Sequence, residues 1–160
     1  MAFPCWDEPE FKAIFSIALT TDSDLIRISN EKVLNESTEN NRTTTKFVDS
    51  MRMSTYLVAF VVGKLEVSKI GSSKTTDVGI VHRPGFSDQT NFAGTAAIKI
   101  LDFFEDYYGI NYPGSKLDLI AIPDFAMGAM ENVGAVTFRE TLLLIDCLLY
   151  TSDAADDVAS

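Results

Sequence analysis

What this 160-residue chain lacks narrows its function before any motif is considered. Its only cysteines are Cys5 and Cys147, so no disulfide framework is indicated and a reducing compartment is the simplest fit. Its only histidine is His82. A catalytic zinc takes about three protein ligands, and nothing near His82 in sequence supplies them, so no metal site is expected in this chain. His82 is expected at the surface or in a loop. Long apolar runs are also missing: the longest, Tyr56 to Val62, falls far short of the ~20 residues a spanning helix needs, and Met1 is not followed by a charged-then-apolar leader. Basic residues are outnumbered 13 to 23, and a net charge of −10 argues against nucleic acid or an anionic membrane as partner. The acidity reads as a solubility charge. There is no G-x-S-x-G elbow, no G-x-x-x-x-G-K-[ST] loop and no G-x-G-x-x-G turn, so serine-hydrolase, P-loop and Rossmann chemistries have no anchor.

The residues that remain suffice for a core, with 46% hydrophobic content. From Phe11 to Leu19 apolar and polar residues alternate, the period of a half-buried strand. Leu25 to Ile28 and Thr43 to Val48 read as further strands around a polar loop from Asn35 to Asn41, which carries the glycosylation acceptor triplets Asn35-Glu36-Ser37 and Asn41-Arg42-Thr43. Ser54 to Val62 is apolar on both faces, as in a central strand. Trp6, Phe11 and Phe15 are expected in core or interdomain packing. The small polar run Gly71 to Thr76 predicts a junction or hairpin tip, with a domain boundary near Val67. Beyond it, Val78 to Val81 predicts a strand. Ala97, Ile100, Leu101, Phe104 and Tyr108 predict an amphipathic helix from Asp88 to Tyr108, with Asp88, Asp102, Glu105 and Asp106 on its solvated side. Gly109 is placed to cap that helix, and Leu117 to Ile122 predicts a compact strand. The expected architecture is mixed: residues 1–67 close a β-sandwich-like domain, and residues 68–146 are α/β.

The chemistry concentrates in Gly128-Ala129-Met130-Glu131-Asn132. Gly128 and Ala129 offer main-chain N–H and C=O groups with little bulk beside them, so an extended ligand can pair there as an added strand. Glu131 then faces the end of that ligand. A carboxylate and a peptide α-amino group carry opposite charges at neutral pH, and hydrogen bonds between charged groups are the strong kind. Such a site selects a free amino terminus.

The same five residues resemble the exopeptidase signature of the zinc aminopeptidases of the gluzincin type, the family of aminopeptidase N and puromycin-sensitive aminopeptidase. Three more blocks resemble that family in family order: Ala2 to Pro9, Met53 to Gly63 and Lys116 to Phe125. The resemblance implies that Glu131 binds the substrate's α-amino group and that the backbone of Gly128 and Ala129 lies along the substrate. It implies that the second half opens a thermolysin-like catalytic domain. Zinc in the family is held by H-E-x-x-H plus a downstream Glu, with the Glu inside the motif as general base. No such motif occurs here, so the chain reads as a segment of an aminopeptidase that stops before its zinc site, inactive alone, with zinc belonging to the intact parent and peptides with free amino termini as partners. Val133 and Met127 depart from the family's commoner residues and are expected to shape the first side-chain pocket.

The resemblance continues to Asp146 and then breaks. Cys147 to Asp157 reads as the in-frame translation of a sequencing-library adapter, so residues 147–160 are expected to be a non-native tail and are set aside. Asp153, Asp156 and Asp157 in that stretch supply three of the ten net negative charges. Cytoplasmic residence is expected, the alternative being an ectoenzyme whose anchor lies upstream. The rival function is a non-catalytic β-rich module that binds peptide amino termini or a protein partner.

Overall fold

The computed structural model describes residues 3–145. Twelve strands and two α-helices follow one another along them, mostly as sheet. In the first half, β1 (Lys12–Ala13), β2 (Ala18–Asp22), β3 (Ile26–Ser29), β4 (Val33–Glu39), β5 (Arg42–Phe47), β6 (Met53–Ser54) and β7 (Phe60–Gly63) form three small antiparallel arrangements. These are β2-β5-β4, β3-β7 and β1-β6. The second half contributes β8 (Glu66–Ser72), β9 (Asp77–His82), α1 (Asn91–Tyr108), β10 (Lys116–Ile122), β11 (Ala129–Met130), β12 (Ala135–Arg139) and α2 (Glu140–Leu143).

The organising element is a five-stranded mixed sheet in the order β11-β12-β10-β9-β8. β10 runs parallel to both β9 and β12, while β8 and β11 are antiparallel to their neighbours. Because side chains alternate along a strand, Val78, Ile80, Leu117, Leu119 and Ala121 share one face, packed with Leu143 and Leu144 against Ala93, Ala97, Ile98 and Leu101 of α1. Val81, Ile120 and Ala135 face the other way and meet Ala59, Ile28 and Val61 of the first half. β10 is thus covered on both sides, which is why Leu117 to Ile122 reads as a continuous apolar run.

Several expectations hold. The run Gly71 to Thr76 turns the β8–β9 hairpin, where Ser73 N–H donates to Thr76 O at 2.9 Å. Gly109 ends α1 with φ of 65°, the left-handed conformation a glycine cap adopts without strain.

Others are overturned. Asn35 to Asn41 is not a loop: residues through Glu39 belong to β4, and only Asn40 and Asn41, at φ of 49° and 61°, make the two-residue hairpin turn to β5. β4 is exposed along its whole length at a sheet edge, so its sequence carries no apolar alternation to betray it. The expected strand Ser54 to Val62 breaks into β6, a 3-10 turn at Thr55–Leu57 and β7. The alternation from Phe11 to Leu19 yields only β1 and the start of β2. Trp6 and Phe11 are not in a core but exposed, Trp6 to 77%, their rings tilted at 42° to each other with centroids 6.3 Å apart. Phe15 is half-buried against Phe3. On α1, Ile100, Phe104 and Tyr108 are exposed, while Glu105, expected in solvent, is buried. Its carboxylate turns back to accept from Thr75 Oγ1 at 2.9 Å and Tyr112 N at 2.8 Å, partners that arrive from outside the helix.

α1 sits on β8 through Gly94, where an added Cβ would come within 2.3 Å of Ile70 Cγ1. Gly94→Ala is therefore expected to cost about 1–3 kcal/mol by overpacking, outweighing its helix-propensity gain of about 1 kcal/mol. Urea unfolding midpoints should show the loss, and the loss should shrink when Ile70 is also cut to Ala. A Gly94→Ala chain with an unchanged midpoint would mean that the helix does not pack there.

Candidate functional site

Among the described residues the strand β11 is one of the two edges of the five-stranded sheet, and it contains Ala129 and Met130 of the signature. Its register places Ala129 opposite Phe138 and Met130 opposite Thr137, and Arg139 N–H donates to Gly128 O at 2.9 Å. In an antiparallel pair, successive residues direct their N–H and C=O alternately toward the partner and away from it. Gly128 and Met130 therefore face β12, and Ala129 turns its N–H and C=O to the free side. Of the two residues expected to offer backbone to a ligand, Ala129 is free and the carbonyl of Gly128 is already used.

Glu131 follows directly and is exposed. The residues after it are fixed from several directions. Asn132 is buried, its Nδ2 donating to Tyr56 O at 3.4 Å, and its carbonyl accepts from Ala135 N at 3.0 Å. Val133 O accepts from Asn30 Nδ2 at 2.8 Å. Gly134 N–H donates to Tyr112 Oη at 2.9 Å, and Gly134 O accepts from Asp118 N at 3.1 Å and Lys116 Nζ at 2.7 Å. Gly134 has φ of 72°, and a Cβ there would lie 1.9 Å from Asn30 O. Only glycine fits that turn.

Two ionisable groups support the turn from beneath. Lys116 is buried, and burial pushes its ammonium below the usual lysine range, opposed by Asp118, whose Oδ2 lies 2.6 Å from Nζ. Burial pushes the Tyr112 phenol up, while its bond to Gly134 N–H acts the other way. On the near side, Arg139 sends Nε to Phe125 O at 3.0 Å and an Nη to Ala126 O at 2.8 Å, which sets the approach to the signature. Met127 is exposed and Val133 half-buried beside these residues.

Sequence reasoning missed Asn30, Tyr112, Lys116 and Arg139. Their partners lie up to 103 residues away, and all are backbone atoms apart from the Asp118 carboxylate. No local pattern marks such bonds, although Lys116 in an otherwise apolar strand is a cue. His82 is also corrected: it is fully buried in β9, with Nε2 2.8 Å from Ser68 Oγ and Nδ1 2.7 Å from Arg83 O. Both ring nitrogens are engaged within the fold. Among the described residues no three His, Cys, Asp or Glu side chains converge as a metal site would need, so these residues do not fit a zinc ion.

Where β12 leaves the site, Arg83 grips Glu140 with Nε at 2.9 Å and Nη2 at 2.7 Å, and its guanidinium lies 4.7 Å from the centroid of the Phe86 ring. The hydrogen bond from Arg83 holds the Glu140 carboxyl below its ordinary value of 4.5. A carboxyl lowered on folding contributes stability above its unfolded pKa and loses it as pH falls through the folded value. Glu140→Gln is thus expected to lower the urea midpoint at pH 7, with the gap between wild type and variant closing as the pH falls below the ordinary glutamate range. A gap that persists in acid would mean that the pair is not what Glu140 contributes.

Comparison with known proteins places these elements in a wider setting. Residues 1–57 match the family description "Peptidase M1 N-terminal domain", and residues 92–160 match "Peptidase family M1 domain". Aminopeptidase M1-B of Oryza sativa subsp. japonica is 46% identical over 157 residues, which is 98% of this chain and 18% of that protein. Endoplasmic reticulum aminopeptidase 2 of Homo sapiens is 48% identical over 157 residues, again 98% of this chain and 16% of the relative. The puromycin-sensitive aminopeptidase of Caenorhabditis elegans is 42% identical over 91% of this chain and covers 16% of that protein's length. The chain thus spans less than a fifth of the length of these relatives. The match to "Peptidase family M1 domain" takes in residues 147–160, the expected non-native tail, which lies outside the described residues.

Proposed function

This chain belongs to peptidase family M1, and from that premise we propose that it is the part of an aminopeptidase that captures the amino end of a peptide. Gly128 and Ala129 border the substrate backbone, Ala129 pairing with it across the open edge of β11. Glu131, at the end of that edge, binds the α-amino group, and Met130 and Asn132 hold the carboxylate in place along the chain. Met127 and Val133 shape the pocket for the first side chain. The observation that carries the reading is the conjunction of Ala129, whose backbone N–H and C=O face away from β12 and meet no strand among the described residues, with an exposed carboxylate two residues on. An edge strand gives affinity through main-chain bonds, and a charge at its end counts residues from the terminus.

Chemistry at the first peptide bond needs a zinc-activated water in this family, and His82 with its neighbours does not supply the ligands. In a protein of the relatives' length the metal would be held by residues outside these 160. What this segment does is bind and orient the substrate. The finer architecture is proposed on the same footing: residues 1–67 as the end of a β-sandwich domain, and residues 68–146 as the opening of a thermolysin-like catalytic domain. Cytoplasmic residence is proposed from the low cysteine count.

In the full-length protein, Glu131→Ala is expected to lower kcat/KM for peptides with a free amino terminus by about 100-fold or more, the scale seen when a buried or charged recognition bond is lost. Thermal stability should hardly move, since Glu131 is exposed. Steady-state kinetics on free and N-acetylated versions of one peptide decide the matter: retained preference for the free amine in the variant would overturn the assignment. The 160-residue chain alone is expected to cleave neither peptide with zinc added; turnover by it would overturn the division of labour.

A further inference from the structure

The amine-binding carboxylate can select an amino terminus only if the backbone on both sides of it is fixed. On the β11 side the sheet does this. On the other side the fixing comes from a residue 101 positions earlier. Asn30 is 1% exposed, and its amide is fully committed: Nδ2 donates to Leu57 O and to Val133 O, each at 2.8 Å, while Oδ1 accepts from Ala59 N at 2.9 Å. Two donors and one acceptor thus tie two separate backbone segments, Leu57 to Ala59 and Val133, at one point. The Asn30 carbonyl is also the atom that leaves no room for a side chain at Gly134. Tyr112 holds the next backbone group along, Gly134 N–H.

Resting on the reading of Glu131 above, we infer that Asn30 is a positioning residue for substrate amine binding. It pins the Asn132-Val133-Gly134 turn two residues after Glu131 and so fixes where that carboxylate sits. Asn30 touches no substrate. Its effect passes through Val133 O, which only an amide donor of this length reaches while Oδ1 remains on Ala59. An aspartate of the same shape keeps the acceptor and turns an oxygen toward two carbonyl oxygens; protonation returns one of the two donors.

The test uses Asn30→Asp, Tyr112→Phe and Glu131→Ala in the full-length protein, with KM and kcat measured separately on a free-amine peptide and its N-acetylated form across pH. Asn30→Asp is expected to raise KM for the free-amine peptide about tenfold with kcat within about twofold, and to recover part of that loss relative to wild type as pH falls. A residue that only stabilises the fold would lower the melting midpoint and leave the KM ratio of the two peptides unchanged. That result overturns the inference. If Asn30→Asp does not fold, Tyr112→Phe decides: it frees only the Gly134 N–H, and it should raise the same KM severalfold, whereas an unchanged KM would overturn the pinning of the turn. Glu131→Ala separates the two readings. If it abolishes amine preference while the other variants retain it, the Asn30 inference fails alone; if it changes nothing, the amine site and the inference fail together.

Discussion

The constraint on which the site depends is the contact between Gly134 and the main chain of Asn30, too close for even a methyl group. It joins the strand-rich first half to the mixed sheet at the point where the chain leaves the signature. Everything around it is arranged to satisfy polar groups that this contact buries. Lys116, Tyr112, Asn30 and the main-chain N–H of Asp118 all bond to the backbone of Val133 and Gly134. Buried backbone groups left without partners cost of order 1–3 kcal/mol each, so the charges and amides there are the means by which a tight turn can lie inside a core.

Two of those residues, Lys116 and Asp118, belong to β10. Lys116 and Asp118 share the face of Ile120, toward the first half of the chain, while Leu117, Leu119 and Ala121 face the helices. One strand thus carries a wholly apolar layer on one face and, on the other, an ion pair beside a second apolar cluster. The apolar layer is only partly enclosed. Phe92, Phe103, Tyr107 and Ile110 are exposed along or just beyond α1, and Phe103 stacks on Tyr107 with centroids 5.9 Å apart. A helix apolar on more than one side is built to be covered on more than one side, and among the described residues only one side is.

Legibility in the sequence followed how local the cause was. α1, its glycine cap, β9 and β10 were readable because periodicity and capping are short-range signals. β4 was not, because an edge strand exposed on both faces has no reason to alternate. The run Ser54 to Val62 misled for a different reason: its interruption is stabilised by the Asn30 side chain, which takes Leu57 O and Ala59 N. His82 and Glu105 were misplaced because their burial rests on Ser68, Thr75 and the backbone of Tyr112, brought near only by the fold. The signature stood out in the sequence by its residue types, yet which of its backbone atoms face away from the sheet did not. That depends on register, and register is fixed by β12.

In the sheet, β8, β9, β10 and β12 lie side by side in the order in which they occur along the chain, and β11 folds back to the outside. Each strand is laid against one already made, except that β11 must wait for Ala135–Arg139 to exist. On a ribosome, the β11 edge is therefore the last piece of this sheet to close, and a nascent chain that has not reached residue 139 lacks the partner that holds Ala129 and Met130 in register.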